Sequence, residues 1–292
     1  MTGSRAARTE AATTRSPVGG MPELQAWFAA ALAEAAPSGI TPAAARDALI
    51  VPGSQGGLSA VFRAVVGRGQ PLVVESPTYW GAILAAEQAG VVLVPIPTGP
   101  AGPDPDAVER ALAHTGARAF YAQPTFANPT GGQWPVETSR AVLDTVRAHG
   151  AFLILADRAA DSMYVSGLLQ AAALDVVTQP GWRSHLRGLR PRLRARRDAL
   201  LESVRAHAPS AHVESVPVGG LNLWLRLPEG TDLERTVREC EVRGLVVAPG
   251  GEWFPAEPSG PHLRLNYAGE HPDRFAEAAR ILGEVLAEDA GR

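Results

Sequence analysis

Residues 117–131 read ARAFYAQPTFANPTG, an apolar run of strand length followed by a loop rich in turn-forming residues. The run from Ala117 to Gln123 is short and aromatic and is bounded by Gly116 and Pro124, which is typical of a strand buried on both faces. The loop ends in Asn128-Pro129-Thr130-Gly131, residue types that also form ordinary turns. This segment predicts one buried strand with a polar loop at its carboxyl end.

Similar apolar runs occur on both sides of this segment and alternate with stretches of helical spacing. The predicted strands are Ala48–Pro52, Pro71–Glu75, Val91–Ile96 and Ala151–Ala156. Between them, apolar residues such as Val108 and Leu112 recur at intervals that favour helices. Strands that alternate with helices predict an α/β fold with a mostly parallel sheet covered on both faces.

After Asp157 the alternation stops, and a different pattern indicates a second unit. Helical spacing covers Leu168 to Val177 and then an Arg-rich stretch from Trp182 to His207, which Pro191 is expected to kink or end. The remainder predicts strands at His212–Val216, Leu221–Leu227, Leu245–Ala248 and His262–Tyr267, with helices at Asp232–Arg243 and Pro272–Ala287. We therefore predict a loose arm over residues 1–20, a large domain over 21–180 and a smaller α+β domain over 181–292.

The composition of the chain excludes several kinds of binding site and reaction. The 292 residues carry a formal net charge of −3, so no global positive field recruits nucleic acid or anionic lipid. The single Cys240 and the lack of a membrane-spanning apolar stretch predict a cytoplasmic protein without disulfides. The His residues are scattered without metal-ligand spacing, so no metal site is expected. All 27 basic residues are Arg and none is Lys, which excludes any reaction that needs a side-chain amine from this sequence.

Polar residues follow several of the predicted strands. Ser54 and Gln55 lie in a Gly-rich turn that opens a helix, where backbone N–H groups can bind a phosphate, although such turns are also common structural features. Tyr79 follows the second strand, a position where aromatic rings more often join the core. Asp157 closes the fifth strand, either as a helix cap or as the partner of a cationic ligand. Arg264 lies in a strand, where an edge-strand charge is the alternative.

Taken in this order, the motifs resemble the fold-type-I pyridoxal phosphate enzymes, in particular class I/II aminotransferases. The segment from Pro22 to Asp157 is most similar to the aminotransferase-like domain of MocR-type regulators. The resemblance implies that Ser54 and Gln55 hold the cofactor phosphate, that Tyr79 stacks on the pyridine ring and that Asn128 binds its phenolic oxygen. It also implies that Asp157 pairs with the ring nitrogen and that Arg264 binds the substrate carboxylate.

The chain departs from this family after Asp157. Members of the family continue there with an aromatic residue, two strands and the Schiff-base lysine, whereas residues 162–170 of this chain resemble a segment that follows that lysine. The resemblance therefore implies an internal deletion of about 50 to 60 residues, which removes two strands and the lysine. Ala159 and Ala160 occupy the place of the family's tyrosine. Because His, Arg and Tyr cannot replace an amine, we expect non-covalent cofactor binding at most and impaired catalysis.

Three functions remain open at this level. The first is an impaired aminotransferase-type protein that takes an amino acid or a 2-oxo acid, with a possible homodimer. The second is a non-catalytic regulator that recognises an amino acid or vitamer and acts through a partner. The third is nucleic-acid binding through the Arg-rich helix, against which a solvated helix face is favoured.

The implied deletion also leads to two structural expectations. Either Ala48–Pro52 pairs directly with Ala151–Ala156, or both become exposed edges that are prone to association. In the C-terminal unit, whose pattern is complete, Arg264 is expected to lie near Asn128.

Overall fold

The computed structural model describes residues 19–35, 44, 48–51, 53–156, 167–269 and 271–290. Their contacts divide the chain into two compact units. The first unit combines Met1–Leu58 with Ala160–Leu189, and the second combines Ser59–Ala159 with Arg190–Arg292. The domain boundary near residue 181 stays a prediction.

Helices make up most of the regular structure in the described residues. They are α1 (Pro22–Ala35), α2 (Gly53–Val61), α3 (Trp80–Ala89), α4 (Pro105–Thr115), α5 (Val136–Ala148), α6 (Gly167–Val177), α7 (Trp182–His207), α8 (Leu233–Val242) and α9 (Phe275–Ala290). A π-helical turn, Phe62–Val66, extends α2, and short 3₁₀ turns cover Gly250–Trp253 and Pro272–Arg274.

In the first unit, helices α1 and α6 share a small apolar cluster. Met21, Leu24 and Leu174 are buried in it, and Ile50 packs against them. The backbone N–H of Met21 donates to the Gln170 side-chain oxygen at 2.9 Å, which satisfies one of the free donors at the start of α1. This unit therefore has a local core of its own.

The second unit contains a five-stranded sheet that is mostly parallel, as predicted. Its strands are β1 (Pro71–Ser76), β2 (Val92–Gly99), β3 (Gly102–Pro103), β4 (Ala119–Ala122) and β5 (Phe152–Leu155). The spatial order is β3-β2-β1-β4-β5, and only β3 runs antiparallel to its neighbour. The carboxyl ends of β1, β2 and β4 therefore meet at one edge of the sheet.

Helices α4 and α5 cover one face of this sheet. Asp104 caps the start of α4 by accepting a bond from the Asp106 N–H, and Gly116 ends the helix in a left-handed conformation. The buried cluster beneath them includes Val73, Phe120, Val108, Leu112, Val142 and Val146. Apolar burial of this kind is the main source of stability for the sheet.

A smaller antiparallel sheet completes the second unit. Its strands are β6 (His212–Val213), β7 (Asn222–Arg226), β8 (Ala248–Pro249) and β9 (His262–Asn266), in the order β6-β7-β9-β8. Side chains of α7, α8 and α9 pack on it in one apolar cluster that includes Leu201, Val204, Leu223, Leu263 and Leu282. The predicted α+β character of the C-terminal part is confirmed.

The prediction of a strand at Ala48–Pro52 is wrong for Ala48–Val51, which form no strand; Pro52 lies outside the described residues. The Ile50 N–H donates to the Gly19 carbonyl, and the Ala48 carbonyl accepts from the Gln25 side chain. The apolar run is short, and periodicity alone does not distinguish a strand from another buried segment of that length. The proposed pairing of this segment with β5 is therefore wrong as well.

Of the two outcomes expected at Pro191, an end of the Arg-rich helix is wrong, since α7 is helical from Trp182 to His207, while a kink stays a prediction. Proline removes one helical hydrogen bond and disfavours the turn before it. Downstream, Leu200, Leu201 and Val204 are buried in the C-terminal core, and Leu193 packs against it. Packing of this apolar stripe outweighs the local cost of the proline.

Strand β5 forms an edge within the described part of the first sheet, where it pairs with β4 alone. Phe152 and Leu155 are each 52% exposed, although both are large apolar residues. Of the two alternatives for this strand, the exposed edge is the one found. No helix in the described ranges is long and apolar enough to cross a membrane.

Candidate functional site

The carboxyl-end edge of the first sheet carries a buried carboxyl group. Glu75, near the end of β1, is only 3% exposed. Its Oε1 accepts hydrogen bonds from the Thr98 hydroxyl at 3.0 Å and the Trp134 indole N–H at 3.2 Å. Its Oε2 accepts from the Gln123 backbone N–H at 2.9 Å. One side chain therefore joins the ends of β1 and β2 to the loop that follows β4.

Burial and hydrogen bonding shift the pKa of Glu75 in opposite directions. Removal from water disfavours the charged form, while the three donors stabilise it. Burial is the larger effect and raises the pKa of Glu75 to about 7. Glu75 therefore changes its protonation state near neutral pH.

Tyr121 lies beside this carboxyl group. Burial raises its pKa far above the ordinary value, and the nearby Glu75 and Tyr79 raise it further. The Tyr121 hydroxyl is fully buried and has no hydrogen-bond partner within the described part of the chain. A buried hydroxyl without a partner is costly, so this position favours a polar ligand or an ordered water.

The loop after β4 is folded back on itself and presents Asn128. The backbone N–H of Asn128 donates to the Gln123 side-chain oxygen at 3.1 Å, and the Trp134 backbone N–H donates to the Pro124 carbonyl. Gly131 has a φ of 68°, and a Cβ there would overlap the Pro217 side chain. Glycine is therefore required at this position both for its backbone conformation and for the close approach.

Arg264 lies near Asn128, as predicted. The Arg264 Nη1 donates to the Asn128 Oδ1 at 3.3 Å, and the Trp253 indole N–H donates to the same oxygen at 3.2 Å. The guanidinium carbon also lies 4.6 Å from the centre of a Trp253 ring, within cation–π range. Strand β9 lies between β7 and β8, so the interpretation of Arg264 as an edge-strand charge is wrong.

Tyr79 occupies the turn between β1 and α3, and its side chain is 2% exposed. The neighbouring Thr78 N–H donates to the Trp253 carbonyl at 2.8 Å, which ties this turn to the C-terminal sheet. Tyr79, Asn128 and Arg264 therefore belong to one connected region of the second unit.

The other predicted cofactor contacts belong to the first unit or lie outside the described residues. Ser54 and Gln55 lie in the first turn of α2, within the first unit, and Gly53 before them has a φ of 80°. Asp157 lies outside the described residues, as do Ala159 and Ala160. The roles of these residues stay predictions.

Sequence reasoning missed Glu75, Thr98, Trp134 and Trp253 as members of this cluster. A signal for Glu75 was present, since it is the one charged residue in the apolar strand Pro71–Ser76 and stands at the carboxyl end. The other three lie in separate segments of the chain, and no local pattern connects them.

Two further expectations concern metals and nucleic acid. The described ranges contain no group of three His, Cys, Asp or Glu residues that could hold a metal ion.

In the Arg-rich helix, Arg196 donates to the carbonyls of Ala268 and Gly269. Arg197 donates to the Pro217 carbonyl and pairs with Asp198. These contacts favour a structural role over phosphate binding for at least two of the arginines.

A mostly parallel sheet with a polar cluster at the carboxyl ends of its strands defines an α/β protein, and folds of this class bind ligands at that edge. The family model described as aspartate amino-transferase matches residues 5–179. The chain belongs to this aminotransferase family.

Individual relatives agree with this assignment, and a solved structure shares the fold. The 2-aminoadipate transaminase of Thermus thermophilus is 26% identical over 336 aligned positions, covering 95% of this chain and 82% of the relative. The HTH-type transcriptional regulator YjiR of Escherichia coli K12 is 25% identical, covering 83% of this chain and 63% of that protein. The crystal structure of LysN, an alpha-aminoadipate aminotransferase from Thermus thermophilus, superposes with a TM-score of 0.85 at 24% identity, over 99% of this chain and 88% of that chain.

Proposed function

We propose that this chain binds pyridoxal phosphate non-covalently and keeps only a weak subsite for an amino acid or 2-oxo acid, without efficient amino transfer. The observation that carries the proposal is the absence of Lys from a chain of this family, in which Asn128 and Arg264 are nevertheless in contact. A bound pyridoxal phosphate supplies an electron sink for reactions at the α-carbon of amino acids. The remaining steps concern what the residues of this chain do.

The Asn128 side chain is held by its oxygen, and its NH2 group is available to a ligand. Its Oδ1 already accepts bonds from Trp253 and Arg264, so the Nδ2 group is the donor that the side chain offers to a ligand. A phenolic oxygen is a suitable acceptor for that donor. The buried hydroxyl of Tyr121 lies on β4, and Tyr79 lies in the turn that follows the neighbouring strand β1. These features fit the polar, aromatic body of the cofactor.

Arg264 is oriented by two neighbours, the Trp253 ring and the Asn128 side chain. A planar guanidinium held in this way has N–H groups that suit a carboxylate, which both amino acids and 2-oxo acids carry. Positioning within about 1 Å is required for a productive complex, so a partial site binds weakly.

The comparison with the Thermus relative supports an internal deletion. The alignment is 336 positions long, but the 95% of this chain that it covers amounts to only about 277 residues. About 60 positions therefore have no counterpart in this chain, which agrees with the deletion of about 50 to 60 residues that the motifs imply. A loss of that size accommodates two strands and the lysine.

An absorbance titration with pyridoxal phosphate, followed by borohydride reduction and peptide mapping, tests the proposal. We expect saturable binding and no reduced adduct between Pro22 and Leu286. Asp157→Asn should weaken binding, because a buried pyridinium would lose its counter-charge. Asp144→Asn, an exposed carboxyl on α5, is the matched control and should leave binding unchanged. A stable adduct in that range, or no binding at all, would contradict the proposal.

A second candidate is a regulator-type domain that senses an amino acid or vitamer through a partner, and similarity to YjiR favours it. Calorimetry with amino and 2-oxo acids distinguishes the two candidates. An impaired enzyme should show little measurable affinity for free amino acids. Micromolar binding that Arg264→Ala abolishes would instead indicate an intact sensing site.

A further inference from the structure

A second cavity lies in the same unit, next to the candidate site but with a different lining. It has a volume of about 450 Å³, which is in the range of small-molecule sites. One wall consists of prolines and backbone from the ends of β1 and β2, including Pro77, Pro97 and Pro100. The rest of the lining comes from the C-terminal sheet and from the loops before β7 and β9. The cavity contains none of the residues predicted to hold the cofactor or its substrate.

The C-terminal wall is aromatic and rigid. The Trp224 and His262 rings stack with centroids 5.0 Å apart and an interplanar angle of 10°, and Phe254 packs at 6.2 Å from Trp224. All three side chains are largely buried. His262 is fixed further by a hydrogen bond between its Nδ1 and the Gly260 carbonyl at 2.9 Å. A lining that combines prolines with aromatic rings suits a flat apolar ring.

The charge at this cavity is negative. Glu214 and Glu257 line it, and no arginine does so among the described residues, although the chain contains 27 basic residues. Glu214 lies 3.9 Å from an Arg226 nitrogen that is not part of the lining. Within the described part of the chain, Glu257 has no cation within ion-pair distance. An anionic ligand would therefore meet repulsion here, and a cation would be attracted.

We propose that this cavity is a second binding site, and that it takes an aromatic ligand carrying a positively charged amine. The ring would lie between the proline wall and the Trp224–His262 stack, with the ammonium group directed toward Glu214 and Glu257. This ligand class differs from the carboxylate-bearing molecules that Arg264 suits. The inference does not depend on the proposed function.

Isothermal titration with three indole probes tests the proposal. Tryptamine carries an ammonium group, tryptophol is a neutral analogue, and indole-3-acetate is the matching anion. We expect tryptamine to bind most tightly, tryptophol about fivefold more weakly and indole-3-acetate least, because the ring contacts are shared and only the charge differs. Raising the salt concentration should reduce the difference between the probes.

Variants assign the effect to this cavity. The double variant E214Q/E257Q should lower tryptamine affinity about tenfold and leave tryptophol binding unchanged. Glu87→Gln removes an exposed carboxyl on α3 and should change neither. Ser215→Trp, which places a large ring in the cavity lining, should abolish binding of all three probes. Equal affinity for the three probes, or tryptamine binding that E214Q/E257Q leaves intact, would overturn the proposal.

Discussion

Glu75 is the residue through which the loops of the candidate site are joined. It accepts bonds from β2, from the loop after β4 and from Trp134, and the next residue in that network, Gln123, holds the Asn128 backbone. A buried carboxyl with three donors is stable only while all of its partners remain in place. The geometry of Asn128 therefore depends on Glu75 through Gln123.

The protonation of Glu75 makes stability depend on pH. Its pKa is raised from an ordinary 4.5 to about 7 in the folded protein, so the folded state holds a proton that the unfolded state has lost. This contribution is complete below about pH 4.5 and disappears as the pH rises through about 7. We expect the loss to amount to about 3 kcal/mol of unfolding free energy between these limits.

Glu75→Gln isolates this contribution, because glutamine resembles the neutral carboxyl. At pH 5, urea unfolding should give a lower stability for the variant than for the parent, because an amide NH2 cannot accept the bond that the Gln123 backbone N–H donates to Oε2. Between pH 5 and pH 8 the variant should gain about 2 to 3 kcal/mol relative to the parent. Glu137→Gln, an exposed carboxyl in the first turn of α5, should leave the pH profile of the parent unaltered. A pH-independent difference for Glu75→Gln would contradict the assigned protonation.

At the level of elements, the contact between α9 and the end of α7 is so close that it leaves no room for an added side-chain atom. A Cβ added at Gly283 on α9 would collide with the His207 carbonyl oxygen. Backbone atoms on both sides leave no flexible side chain that could move away. Glycine at this position therefore permits an approach that any other residue would block.

Gly283→Ala should consequently lower the free energy of unfolding by more than about 2 kcal/mol, since the helices must separate and disturb the C-terminal core. Gly188→Ala on the exposed part of α7, where nothing lies within 4 Å of the added Cβ, is the matched change. It should raise stability by about 0.5 to 1 kcal/mol through helix propensity. Denaturation monitored by circular dichroism measures both. If both substitutions changed the free energy of unfolding by the same amount, the close contact between α7 and α9 would be wrong.

At the scale of the whole molecule, the exposed edge at β5 favours self-association. Its four residues are all apolar, and Phe152 and Leu155 are exposed in the described structure. An unpaired strand edge of this composition is a template for pairing with a second chain.

We therefore expect concentration-dependent dimerisation in sedimentation velocity, and Leu155→Lys should weaken it at least tenfold by placing a charge on the edge. Val242→Lys alters an exposed valine at the end of α8 and should have no such effect. A monomer at all concentrations, or equal effects of the two lysines, would rule out β5 as the contact.

The sequence by itself determined the types of the elements and much of their order. Alternation of apolar runs with helical spacing indicated the mostly parallel sheet, and four of its strands lie within a few residues of the predicted bounds. These features are local, because side-chain periodicity and turn residues act within a short stretch of chain. The contact between Arg264 and Asn128 joins residues 136 positions apart; it was expected from the family resemblance and is confirmed.

Only the tertiary structure decided which short segments pair, which polar groups are buried and which neighbours they have. Ala48–Val51 have an apolar pattern but bond to Gly19 and Gln25, and α7 continues past Pro191 because distant apolar residues pack against it. Burial raises the pKa of Glu75, and donors 23 to 59 residues away in the chain partly oppose that rise. The physical reason is that pairing and desolvation depend on contacts between segments far apart in the chain, and local propensity does not specify these contacts.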